Sequence, residues 1–114
     1  MRMTLDQIKE AQAEFDKSHK GHIPFFEDIN ENNLEVLEHL VVCLLGELGE
    51  FANVLKKIKR GDFTLLDKKC ELDEELTDVF IYLVKISNQL GVDIEGNFLQ
   101  KIEKNKMKFE KYEL

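Results

Sequence analysis

Cysteine is scarce, proline occurs once, and nothing in the chain resembles a membrane span or a basic nucleic-acid face. Cys43 and Cys70 are the only cysteines. They stand alone, without metal or redox spacing, and are expected as two reduced thiols in or near the core. No apolar run approaches the roughly 18 to 20 residues needed to cross a bilayer, and the N-terminal residues lack the apolar centre of a signal peptide. No membrane partner is expected, and the expected location is the cytoplasm. The formal net charge is −7, which argues against duplex nucleic acid as a partner because such proteins present a dominant basic face. A free nucleotide escorted by a divalent cation remains compatible with that charge. Internal repeats, low-complexity segments and convincing strands are absent too.

What is present is helical periodicity. Leu37, Val41, Leu44, Leu48, Phe51, Leu55 and Ile58 recur at spacings of three and four, as do Leu72, Leu76, Val79, Leu83, Ile86 and Leu90. Ile94, Phe98, Ile102, Phe109 and Tyr112 mark a last helix with Asp93 as its N-cap, after Gly91 closes the previous one in a left-handed turn. At the other end, Thr4-Leu5-Asp6-Gln7 has capping-box form ahead of Ile8, Ala11 and Phe15. The only proline, Pro24, lies in the stretch from His19 to Asn32 that breaks the pattern, after which Asn32 with Glu35 can cap the second helix. A second break falls at Gly61-Asp62-Phe63-Thr64.

These signals predict an all-α, four-helix, bundle-like single domain over residues 1–114, with helices at roughly 4–17, 33–60, 67–90 and 93–111. Its 43% of hydrophobic residues suffice for one core. Helices of about 25 residues are about 38 Å long, more than a domain of this size needs. A homodimer or a dimer of dimers is therefore expected.

Two acidic pairs interrupt the apolar pattern. Glu47-Leu48-Gly49-Glu50 and Glu75-Leu76-Thr77-Asp78 each set two carboxylates three residues apart, hence on one helix face. Two such helices packed together would gather Glu47, Glu50, Glu75 and Asp78 in one pocket, an arrangement that a divalent cation makes inexpensive. Mg2+ suits it, since it takes oxygen ligands and bridges carboxylates to substrate phosphates. Water attack on a phosphoryl group is chiefly a matter of positioning and charge neutralisation, with Glu47 or Glu50 available as general base.

The runs Leu45 to Ala52, Glu74 to Leu83 and Leu90 to Ile94 together resemble the MazG-like all-α nucleoside triphosphate pyrophosphohydrolases, over about Leu34 to Tyr112. The resemblance implies Mg2+-dependent hydrolysis of a nucleoside triphosphate to the monophosphate and pyrophosphate, as housecleaning of non-canonical or surplus nucleotides. It also implies Glu47, Glu50, Glu75 and Asp78 as metal ligands. Asn105 and Lys108 match the family's phosphate-side Asn and basic residue, with Lys104 beside them. Lysine stands at 108 where arginine is common, giving a point charge in place of a bidentate fork.

Other residues have plainer readings. Glu71 and Glu74 suit the first turns of a helix, and Lys56, Lys57, Lys59 and Arg60 suit the end of one. Gly46 and Gly49, each about 1 kcal/mol unfavourable in a helix interior, suggest close approach of a neighbouring helix or of ligand. His19, His22, Phe25 and Phe26 form a loop that either stacks on a base or packs on the core. His39, a turn from Cys43 and two from Glu47, reads as a chance gathering rather than a zinc site. A ferritin-like di-iron bundle needs Glu-x-x-His pairs, and the third residues here are Glu50 and Asp78. The remaining alternative is a non-catalytic helical interaction module that retains the fold.

Overall fold

A computed structural model describes residues 1–114 as four α-helices and a short closing 3-10 turn. Helix α1 spans Leu5–Lys17 behind a full capping box, in which Gln7 N donates to Thr4 Oγ1 at 3.2 Å and Thr4 N to Gln7 Oε1 at 2.8 Å. Helix α2 covers Leu34–Lys59 and α3 covers Leu65–Leu90. Helix α4, Ile94–Lys108, follows Gly91 in its left-handed cap (φ 77°) and the Asp93 cap on Gly96 N. No helix is long and apolar enough to cross a membrane.

Three boundaries differ from the sequence reading. Helix α3 starts at Leu65 rather than 67, because Thr64 and Asp67 form a second capping box that the glycine before it obscured. Helix α4 stops at Lys108 and tightens into a 3-10 turn over Glu110–Tyr112. The N-cap of α2 is Asn33, not Asn32. Its side chain turns back to accept from Asn30 N at 2.6 Å, fastening the loop rather than the helix.

Antiparallel α2 and α3 form a long hairpin, and α1 lies against α3. The apolar residues that the hairpin buries fully are few: Leu40, Val54, Leu72 and Val84. Several members of the two sequence stripes instead face outward, among them Val41, Leu48, Leu55, Leu76 and Leu83. Helix α4 stands away from the first three helices and contacts chiefly the turn that follows it. Cys70 is exposed and Cys43 half-buried; of the two expected core thiols, only Cys43 comes near the packed seam. Gly46 and Gly49 have open space where a Cβ would project, so neither glycine serves a close approach within this chain.

Polar groups hold α1 and the long loop onto α3. Asp16, wholly buried, accepts from Lys85 Nζ at 2.8 Å and from Gln12 Nε2 at 3.0 Å, while its Oδ2 has no partner. Asn88 Nδ2 donates to Lys9 O at 2.9 Å, and Lys9 Nζ to Val92 O at 3.1 Å. Gln89 clamps the loop: its Nε2 donates to Phe25 O at 3.0 Å, its Oε1 accepts from Glu27 N at 3.1 Å, and its carbonyl accepts from Ile29 N at 2.8 Å.

Removing one member of a buried ion pair strands the other charge. Asp16→Ala is expected to destabilise the protein by about 3 kcal/mol, the low end of the range for buried pairs because part of Lys85 reaches solvent. Asp16→Leu combined with Lys85→Met should recover most of that loss. Urea unfolding at neutral pH measures both, and a loss well under 1 kcal/mol in Asp16→Ala would show that the pair does not hold α1 in place.

Candidate metal centre

Midway along the hairpin, Glu47 of α2 faces Glu75 and Asp78 of α3. One carboxylate oxygen from each lies within 4.8 Å of the others, and all three residues are half-buried. Glu47 Oε2 and Glu75 Oε2 are shut off from water and lack any hydrogen-bond partner. Buried carboxylate oxygens without donors are costly. A divalent cation with oxygen preference supplies the missing positive charge and partner at once, so the donor set fits such an ion. Glu50 lies just outside this group. It is exposed, yet within hydrogen-bonding reach of both Glu47 and Glu75.

The electrostatics record the crowding. Burial of the carboxylate, then Glu50 within hydrogen-bonding reach and its charge, then the charges of Asp78 and Glu47, push the Glu75 carboxyl from an ordinary 4.5 up to about 7. Burial also raises Glu47, with Glu50 and Asp78 adding repulsion. Every charge acting on the two groups is negative. Within one chain no α4 cation relieves them: Lys108 lies over the ring of its neighbour Phe109, 5.3 Å from the centroid. The structure therefore gathers Glu47, Glu75 and Asp78 with Glu50 at their edge, and leaves Lys104, Asn105 and Lys108 on a helix that does not pack beside them.

One helical turn beyond Asp78 lies Tyr82, which the motif reading passed over. Burial raises its hydroxyl pKa, as do a hydrogen bond and charge from Cys43 and the nearby Glu47 and Asp16 carboxylates. Tyr82 borders a cavity of about 380 Å³ lined also by His22, Phe25, His39, Lys85 and Gln89. Phe25 closes the cavity and stacks on His19, with ring centroids 5.7 Å apart, while Lys85 Nζ lies 5.3 Å from the centre of the Phe25 ring. Thus Phe25 lines a cleft, 38% exposed, and Phe26 beneath Lys17 is half-buried. The signal for Tyr82, Lys85 and Gln89 was their spacing of four, seven and eleven from Asp78, which continues its helix face.

The pattern that defines the MazG-like family matches residues 31–113. The Gene 37 protein of Mycobacterium phage L5 is 36% identical over 63 residues, which cover 54% of this chain and 55% of that protein. The dCTP pyrophosphatase 1 of Rattus norvegicus is 28% identical over 110 residues, 93% of this chain and 59% of its own. The chain thus spans less than two thirds of the length of these curated relatives. No solved structure matches the chain.

The raised Glu75 carboxyl makes the metal-free protein pH-sensitive in a defined direction. Between about 4.5 and 7 the folded state keeps a proton that the unfolded state releases. Stability from this group is full below the unfolded value and is lost as pH rises through the folded one. In chelator, the melting temperature of wild type relative to Glu75→Gln should fall from pH 5 to pH 8. A constant difference across that range would mean that Glu75 titrates like a solvated carboxylate.

Proposed function

The chain belongs to the MazG-like family, and from that membership and the carboxylate geometry we propose that it hydrolyses a nucleoside triphosphate to the monophosphate and pyrophosphate with Mg2+. The observation that carries the reading is the convergence of Glu47, Glu75 and Asp78 with two buried oxygens left without partners. Nucleotide hydrolysis is supported by the family and by the dCTP pyrophosphatase relative; the metal and the substrate are the proposal.

Glu47, Glu75 and Asp78 hold the cation, and Glu50 completes the set from the rim. When bound, Mg2+ neutralises phosphate charge and draws electron density from the phosphorus under attack. The water's oxygen attacks the α-phosphorus, the bond to the β-phosphoryl oxygen breaks, and pyrophosphate departs. Glu50, exposed and outside the tight group, is placed to take the water's proton; Glu47 is the other carboxylate able to do so. The nucleoside end fits the cavity along the hairpin, where Phe25 and Tyr82 offer aromatic surface and His22 and His39 offer hydrogen bonds. Lys104, Asn105 and Lys108 serve the phosphates only if α4 meets the carboxylates of another copy or swings towards its own. Removal of surplus or non-canonical nucleotides in the cytoplasm is the role we assign.

The test is a panel of nucleoside triphosphates with Mg2+, read as pyrophosphate release. The similarity to the rat dCTP pyrophosphatase puts dCTP first among them. Glu50→Gln should lower kcat by about 10²- to 10⁴-fold if it is the base, and Glu75→Gln should abolish turnover. With nucleotide present, Mg2+ at about 100 times its dissociation constant should stabilise wild type by about 2.7 kcal/mol, and Glu75→Gln much less. Absence of pyrophosphate release across the panel, with no Mg2+-dependent melting shift, leaves the non-catalytic interaction module as the function.

A further inference from the structure

The ion pair that fastens α1 to α3 also forms part of the wall of the aromatic cavity. Asp16 is wholly buried and takes no part in the lining, whereas Lys85, 9% exposed, lines that cavity beside Tyr82, Phe25, His22 and His39. A buried ion pair is weak ground for stability, since apolar residues of similar volume often replace it without loss. A use beyond holding α1 is therefore expected of this one, and the wall it stands in supplies the setting.

The Lys85 ammonium is fixed on several sides. Asp16 Oδ1 accepts from Nζ at 2.8 Å, and the centres of the Phe25 and Tyr82 rings lie 5.3 and 5.6 Å away, within range of cation–π attraction. An ammonium has three donors, and the contact with Asp16 occupies one of them. Other polar groups of the wall are less free. Gln89 uses both ends of its amide on the backbone of Phe25 and Glu27, and His39 Nε2 faces Cys43 Sγ at 3.7 Å. No carboxylate lines the cavity, and Lys85 is its one lysine or arginine. A ligand edge made of acceptors fits such a wall; an edge that offers N–H meets a like donor and leaves both unpaired.

Along α3, Tyr82 stands four residues and Lys85 seven beyond Asp78, about 6 and 10 Å up the helix axis. A nucleotide whose phosphates meet Glu75 and Asp78 thus lays its sugar by Tyr82 and its base by Lys85. Resting on the nucleotide reading of the site, we propose that Lys85 selects the base, donating from Nζ to an exocyclic carbonyl oxygen of the ring. Cytosine, uracil, thymine and guanine each carry such an oxygen. Adenine carries an amino group alone, whose N–H confronts the ammonium. Asp16 is the positioning residue, the anion against which the Lys85 side chain is set.

The test compares wild type with Asp16→Leu combined with Lys85→Met, which removes the charge pair as a unit, in kcat/KM for dCTP, dUTP, dGTP and dATP with Mg2+. Wild type should favour the three carbonyl-bearing bases over dATP by about 10- to 100-fold, the worth of one charge-assisted hydrogen bond. The double variant should bring that ratio close to one, chiefly through KM, while Lys85→Arg, which keeps charge and donors, should retain the preference. Should the double variant fail to fold, Asp16→Asn with Lys85→Leu, in which Gln12 still finds an acceptor, takes its place. Calorimetric binding of dCMP, dUMP, dGMP and dAMP reads the same ratios without turnover. The expected ratios with no pyrophosphate released from any triphosphate uphold base selection by Lys85 and remove the pyrophosphohydrolase reading alone. Equal use of dATP and the other three by wild type overturns the proposal. So does a folded double variant that weakens all four alike, or a wild type that binds none of the four monophosphates.

Discussion

Glu47 and Glu75 meet across the seam of α2 and α3, each with an oxygen denied both water and a donor, and the arrangement around them answers to that repulsion. Two 26-residue helices supply the rigidity to hold like charges together. Leu40, Val54 and Leu72 bury on either side of the cluster along the same seam. A carboxyl pushed up to about 7 is the electrostatic record of that confinement, and a divalent cation would relieve it. Strain of this kind is expected where binding rather than stability has shaped the residues.

The loop between α1 and α2 extends the carboxylate cluster into an adjoining aromatic cavity. Gln89 fixes the loop by three hydrogen bonds, and the buried pair of Asp16 and Lys85 locks α1 behind it. These polar contacts hold Phe25 and His22 over the seam next to Tyr82. Residues 1–30 lie outside the family match, so the loop side of the cavity, Gly21 to Phe25, falls beyond the family pattern while Val36, His39, Leu40, Tyr82, Lys85 and Gln89 fall within it. The centre and the cavity thus share a helix face while differing in how far the family pattern reaches them.

Helix type, the caps at Thr4, Asp93 and Gly91, and the two acidic pairs were legible from spacing, because periodicity and capping are local. The rotation of each stripe was not. Leu48 and Leu55 fit the apolar period as well as Leu40 and Val54 do, yet the former face out and the latter in. A heptad-like row in a helix of this length has more apolar positions than one neighbour can cover, and only the neighbour's placement selects among them. The shift of the cap from Asn32 to Asn33 is local by contrast, since the Asn33 side chain accepts from Asn30 N only three residues back.

The sequence by itself determined an all-α chain with paired carboxylates at helical spacing, since i to i+3 geometry needs no more than a helix. Tertiary structure decided which carboxylates converge, drawing Glu47, Glu75 and Asp78 together and leaving Glu50 on the rim. It also revealed the Asp16–Lys85 pair, 69 residues apart in the chain, and the distance of Lys104, Asn105 and Lys108 from the acids of their own chain. Local rules fix which face a side chain shares with its own helix. Only packing between helices fixes what stands opposite, and the repulsion, the set of oxygens a cation would meet and the exposed apolar face all follow from what stands opposite.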